Sequence, residues 1–154
     1  MASNVPNRKT ARKDLAAILV TACIGTGKIT KKVYAYKPRA FPDGSPVVCV
    51  TSASSERIKH SQPVTAVSVF LLDIHTFVVY YSAKSTTPWT EENSEDAIDD
   101  IEKLISDTII DNETIINKWA FLERDGETTM ENVIISGVEY QHEIIPVKIR
   151  AWSD

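Results

Sequence analysis

Long apolar runs are missing from this sequence. The longest, from Val64 to Tyr81, is interrupted by Ser68, Asp73 and His75. It falls short of the roughly 20 uninterrupted apolar residues of a membrane-spanning helix, so no membrane partner is expected. The opening Met1-Ala-Ser-Asn-Val-Pro has no apolar segment of the kind a signal peptide carries. Cysteine is scarce: Cys23 and Cys49 each sit in an apolar run. They read as reduced core thiols of a chain made and kept in cytoplasm, with a bridge between them left open. Histidine is scarce too, and His60, His75 and His142 show no metal-ligand spacing. His142-Glu143 lacks the second histidine of a zinc-binding helix, so neither a metal nor any other cofactor is expected.

Catalytic motifs are also wanting. Gly25-Thr-Gly-Lys28-Ile-Thr30 comes nearest to a phosphate-binding loop. That loop needs G-x-x-x-x-G-K-[ST] between a strand and a helix, so that backbone N–H groups surround the phosphates. Here Ala22 holds the first glycine position and Ile29 the hydroxyl position, and a helix precedes while a strand follows. The segment reads as a helix stop. No G-x-S-x-G elbow is present. The acids between positions 91 and 100 sit where a helix begins, which favours negative charge without implying paired catalytic carboxylates. No catalytic residue is assigned, and no enzyme is expected.

What is present fills one domain. At 154 residues, 43% hydrophobic and 25% charged, the chain is long enough for its own core. It is expected to form a single domain over 1–154, with residues 1–7 as a flexible N-terminus. Leu15, Ile18, Leu19, Ala22 and Cys23 mark one stripe of a helix over 8–24, capped by Asn7 or Thr10. Ile98, Ile101, Leu104, Ile105 and Ile109 mark another over 94–110, capped by Asn93 or Ser94. Strands are expected at 33–36, 47–50 and 115–122. Two hairpins are expected, one over 64–81 turning at Asp73, the other over 133–152 turning at Ser136-Gly137. Residues 37–46, 52–63 and 82–92 read as loops, and Pro146 as a bulge or edge position. Strands gathered in antiparallel pairs with two segregated helices predict an α+β fold, a mainly antiparallel mixed sheet with two helices packed on one face.

Charge is unevenly spread. Nine of the 17 basic residues lie at or before Arg39, opposed there only by Asp14, and 14 of the 21 acidic residues lie between Glu91 and Glu131. Solvated faces would account for this, since exposed ion pairs contribute only ~0.2–1 kcal/mol. The basic start also invites a nucleic-acid reading, but no recognition helix or RNA-binding sheet signature accompanies it. The sharper expectation is a heterologous, head-to-tail contact that closes into a ring. Arg12 and Lys13 on one patch and Asp99 and Asp100 on the other would set orientation. Phe41 and Trp89, with Trp152 as a further candidate, would be apolar anchors, or equally core residues covering a helix end.

The order of elements resembles the tail terminator (tail completion) proteins of long-tailed bacteriophages. The resemblance runs through the leading helix 8–24, VYAYKPRAFPDGSPVVCV (33–50), the segment 64–81, the acidic EDAIDDIEKLI (95–105) after Trp89, and EYQHEIIPVKIRAW (139–152). It covers nearly the whole chain as element order and texture, without an invariant motif, so no functional residue transfers with it. It implies a structural virion protein forming a homo-oligomeric ring, a hexamer in that family, at the head-proximal end of the tail. Its partners would be further copies of itself, the tail tube protein and the head connector or neck protein. Genomic DNA would only pass through the channel, whose net acidity would keep it from sticking. Alternatives are another neck, minor tail or head–tail joining protein, or a small ligand-binding or enzymatic domain with a dispersed site.

Overall fold

The computed structural model describes residues 7–59, 66–83 and 88–153. The elements run α1 (Arg8–Cys23), β1 (Lys32–Tyr34), β2 (Val47–Lys59), β3 (Ala66–Val79), α2 (Glu91–Asp111), β4 (Phe121–Arg124), β5 (Thr129–Ile135) and β6 (Val138–Ser153). The fold is α+β, with one six-stranded, mainly antiparallel mixed sheet. Strand order is β1-β2-β3-β6-β4, and β5 also pairs with β6. Of these pairs, only β1 with β2 is parallel.

Both helices lie on one face. α1 packs on β1 and β2, and α2 on β3, β4 and β6. The α1 stripe is Ala11, Leu15, Ala16, Leu19 and Cys23; that of α2 is Ala97, Ile98, Ile101, Ile105 and Ile109. They close over Val48, Val50, Phe70, Leu72, Ile74, Ile145, Val147 and Ile149, alternate residues of three adjacent strands. Asn7 caps α1 by accepting from Thr10 N. α2 starts three residues earlier than the sequence predicts, because the Thr90 hydroxyl accepts from Asn93 N. Glu91 and Glu92 then fill the first turn, where the helix dipole favours them. Ser94, expected as a cap, is buried and donates to Gln141 Oε1 (3.0 Å).

A second, smaller core covers part of the opposite face: Phe41, Val47, Cys49, Phe77 and Tyr140. The strand registers depart from expectation at three places. The Ser-rich stretch after position 51 continues β2 as far as Lys59, paired with β3 and kinked by a register shift between Ser52 and Ser54. Asp73 marks no turn: β3 runs straight through it, paired with Thr51 and Pro146. β6 has no bulge at Pro146, because its register with β3 is unbroken from Ala66↔Ser153 to Val79↔Tyr140. Its apolar residues change parity because the two cores lie on opposite faces at different points along the strand.

Pro146 sits where the edge of β6 changes partner. β5 pairs with Val138–Ile144 and β4 with Val147–Arg150. The Pro146 carbonyl accepts from Asp125 N on that side, so its missing N–H faces the gap between two short strands. The Ser136-Gly137 turn is as the sequence predicts, with φ of 50° and 79°. The strand expected over 115–122 begins only at Phe121, after a turn through Asn117 (φ 70°). That turn seats buried Trp119, whose Nε1 donates to Asn112 O (2.9 Å).

Candidate assembly surfaces

The charge asymmetry of the sequence becomes an asymmetry of position. α1, over the β1–β2 side, carries Arg8, Lys9 and Lys13 exposed, and none of them makes an ion pair among the described residues. α2, over the opposite side, exposes Glu91, Glu92, Asp96, Asp99 and Asp100, equally without ion pairs among the described residues. Internal ion pairing uses other groups: Lys118 with Asp14 (3.8 Å), Arg124 with Glu102 (2.8 Å), Lys148 with Asp125 (3.6 Å).

The predicted interface residues divide. Lys13, Asp99 and Asp100 are exposed and free to meet a partner. Arg12 is only partly so: Nη1 donates to Ser52 Oγ (3.2 Å) beside the kink of β2, and Nε is buried without a partner among the described residues. Of the two places open to Phe41, anchor or core, it occupies the core. It packs on Phe77 and Tyr140 at centroid distances of 4.9 and 5.3 Å, because the proline-rich loop around it folds over the sheet. Trp89 is half-buried against the main core, with Nε1 donating to Val79 O (2.8 Å), so it closes the start of α2. The side chain of Trp152 lies outside the described residues, as do His60 and residues 1–6 of the expected flexible start at 1–7, whose last residue, Asn7, caps α1.

Among the exposed large apolar residues, two share the edge strand β5. Ile134 is 75% exposed and Met130 46%, both on β5. They face the helix side, opposite Glu139 and Glu143. A groove of about 730 Å³ opens on the other face, with Val67, Val69 and Leu71 as floor and Ser54, Phe121 and Arg150 among its walls. β2 and β4, which never pair, both line it, so the sheet is strongly curled.

One polar row crosses this second face, joining four strands. Thr51 Oγ1 lies 2.8 Å from His75 Nε2, and His75 Nδ1 lies 2.9 Å from His142 Nε2. His142 Nδ1 lies 3.7 Å from Glu131 Oε1, too far for a hydrogen bond. The imidazoles meet edge to edge, 13° from coplanar with centroids 5.1 Å apart. Phe77 lies against the His142 ring at 4.2 Å. A carboxylate faces His142 Nδ1, which favours the proton on that nitrogen. Then His75 Nδ1–H donates to His142 Nε2, and Thr51 donates to His75 Nε2. Burial lowers both imidazoles, that of His142 to about 4, with His75 and Lys37 adding repulsion. Both rings are neutral at pH 7. This row was not legible in the sequence, because its histidines are 67 residues apart and only the β3–β6 register joins them.

Cys23 lies in the main core and Cys49 in the second, on opposite sheet faces, and both are free. Burial pushes their thiols up to about 11 and 12. Among the described residues, no three His, Cys, Asp or Glu side chains gather as a metal-binding set, and no helix is long and apolar enough to cross a membrane. No protein-family model matches the chain, and no curated protein matches it.

Proposed function

We propose that this protein is a ring-forming structural subunit of a phage virion, a tail terminator that ends the tail tube and joins it to the head connector. The observation that carries the assembly half of this reading is the placement of free charge, cations on α1 at one side of the sheet and acids on α2 at the other. Two different, complementary patches on opposite sides of one subunit favour a head-to-tail contact. Such a contact closes into a ring when its rotation divides the circle. Charge sets orientation and encounter rate, and desolvated apolar groups supply most of the affinity. The tail-end location and the partner identities rest on the resemblance of element order.

Native mass measurement over a range of protein concentration and salt tests the reading. The expected result is a closed oligomer that loosens as salt rises, because exposed charges more than a Debye length apart are screened. Lys9→Glu with Lys13→Glu should weaken association by about tenfold at low salt. A monomer at every concentration that also fails to cap purified tail tubes would refute the ring. Arg12 is left out of this test because its contact with Ser52 would confound folding with assembly.

A further inference from the structure

Two sheet edges are unfilled among the described residues, and they lie on the two sides that carry opposite charge. β5 pairs only with β6. β2 pairs with β1 only over Val47–Cys49, so its outer edge from about Thr51 to Lys59 meets no strand. Ladder parity says which backbone groups point outward. The Arg150 and Pro146 carbonyls accept from Ala120 and Asp125 on the β4 side, while Glu139 O accepts from Tyr80 on the other side. Even-numbered residues of β6 therefore face β5, and their partners Thr129, Glu131, Val133 and Ile135 spend their amides inside the chain. Met130, Asn132 and Ile134 present N–H and C=O to the outside. On β2, the backbone groups of Ser54, Glu56 and Ile58 face β3 opposite Leu71, Val69 and Val67, leaving those of Ser55, Arg57 and Lys59 outward.

We propose that the β5 edge of one copy pairs with the free half of β2 in the next, so that the sheet continues across the subunit boundary. This rests on the head-to-tail reading above and specifies its contact. The occupant is a second copy because each edge has its complement on the same chain. Three outward residues meet three outward residues, and on the helix face the acidic start of α2, held over Gln141 beside β5, meets the exposed cations of the neighbour's α1, which covers β2. The direction follows as well. β2 and β6 run the same way and β5 runs opposite, so copies related by rotation meet antiparallel, the stronger pairing. Helices stay on one face across the joint. The exposed side chains of Met130 and Ile134 then lie on the helix side of the joint, the side on which α1 covers the neighbour's β2.

The test is Asn132→Pro and, separately, Ser55→Pro. Each deletes one outward N–H and leaves the internal ladder its bonds. Each should weaken self-association by about 10- to 100-fold, while Asn132→Ala, which keeps the N–H, associates as the wild type does. A folded Asn132→Pro or Ser55→Pro chain that assembles like the wild type overturns the edge pairing and leaves the ring intact. A wild type that never associates overturns both. Should proline unfold the chain, hydrogen exchange on the wild type decides instead. The Asn132 and Ile134 amides are expected to be protected in the assembly and fast-exchanging in the monomer, and equal exchange in the two states overturns the proposal.

Discussion

Acidification should destabilise this fold through one buried imidazole, and the size of the effect can be worked out. His142 is 5% exposed, lies against Phe77 and has its protonation opposed by burial, by His75 and by Lys37. Its folded value of about 4 lies below the ordinary 6.5. The unfolded chain therefore binds a proton in the window where the folded chain does not. Stability is complete above pH ~6.5, falls as pH drops through the window and levels off below ~4. The whole window is worth on the order of 3 kcal/mol, of which about 2–3 kcal/mol is lost by pH 4.5. Urea denaturation at several pH values between about 7.5 and 4.5 measures this, provided the slope m stays constant. His142→Gln is the control: its side-chain oxygen still accepts from His75 Nδ1, but it does not titrate. Subtracting its pH profile removes the carboxylates common to both proteins, Glu143 among them. Parallel profiles for wild type and variant would refute the reasoning, as would a wild type that gains stability on acidification.

Two other predictions concern buried groups. The Thr76 hydroxyl is fully buried on the helix side of β3 with no partner among the described residues, so Thr76→Val should raise stability by ~1 kcal/mol in thermal or urea unfolding; a loss of that size would mean the hydroxyl is satisfied after all. Cys23 and Cys49 are inaccessible and held protonated, so a thiol reagent should modify them only at the rate of unfolding, and prompt labelling of the native chain would contradict the packing.

The helices were legible because each carries an apolar stripe at a 3.6-residue period on one side only. The Ser136-Gly137 turn was legible because few residue pairs adopt its two positive φ angles. β2 beyond Thr51 was not, because Ala53, Ser54, Ser55 and Glu56 are exposed along an unfilled edge and carry no apolar alternation. Asp73 suggested a turn only because sequence does not reveal that one face of a strand can be apolar while the other borders open space. The charge asymmetry was visible as a count along the chain. Its separation onto two sides of the sheet depended on which strands each helix covers, a tertiary fact. The histidine row and the outward amides of β5 depend on register, which no local pattern specifies when the partners are far apart in sequence.

Pro146 has a consequence for how the chain avoids misfolding. A slip of β6 by one residue against β3 would turn Ile145, Val147 and Ile149 away from the helices. It would also swing the one position without an N–H from the gap between β4 and β5 into the central ladder, where β3 needs a donor. Both penalties arise from the same slip and add. The proline thus acts as an index mark on the longest strand of the sheet: it costs nothing in the correct register and opposes the nearest wrong one.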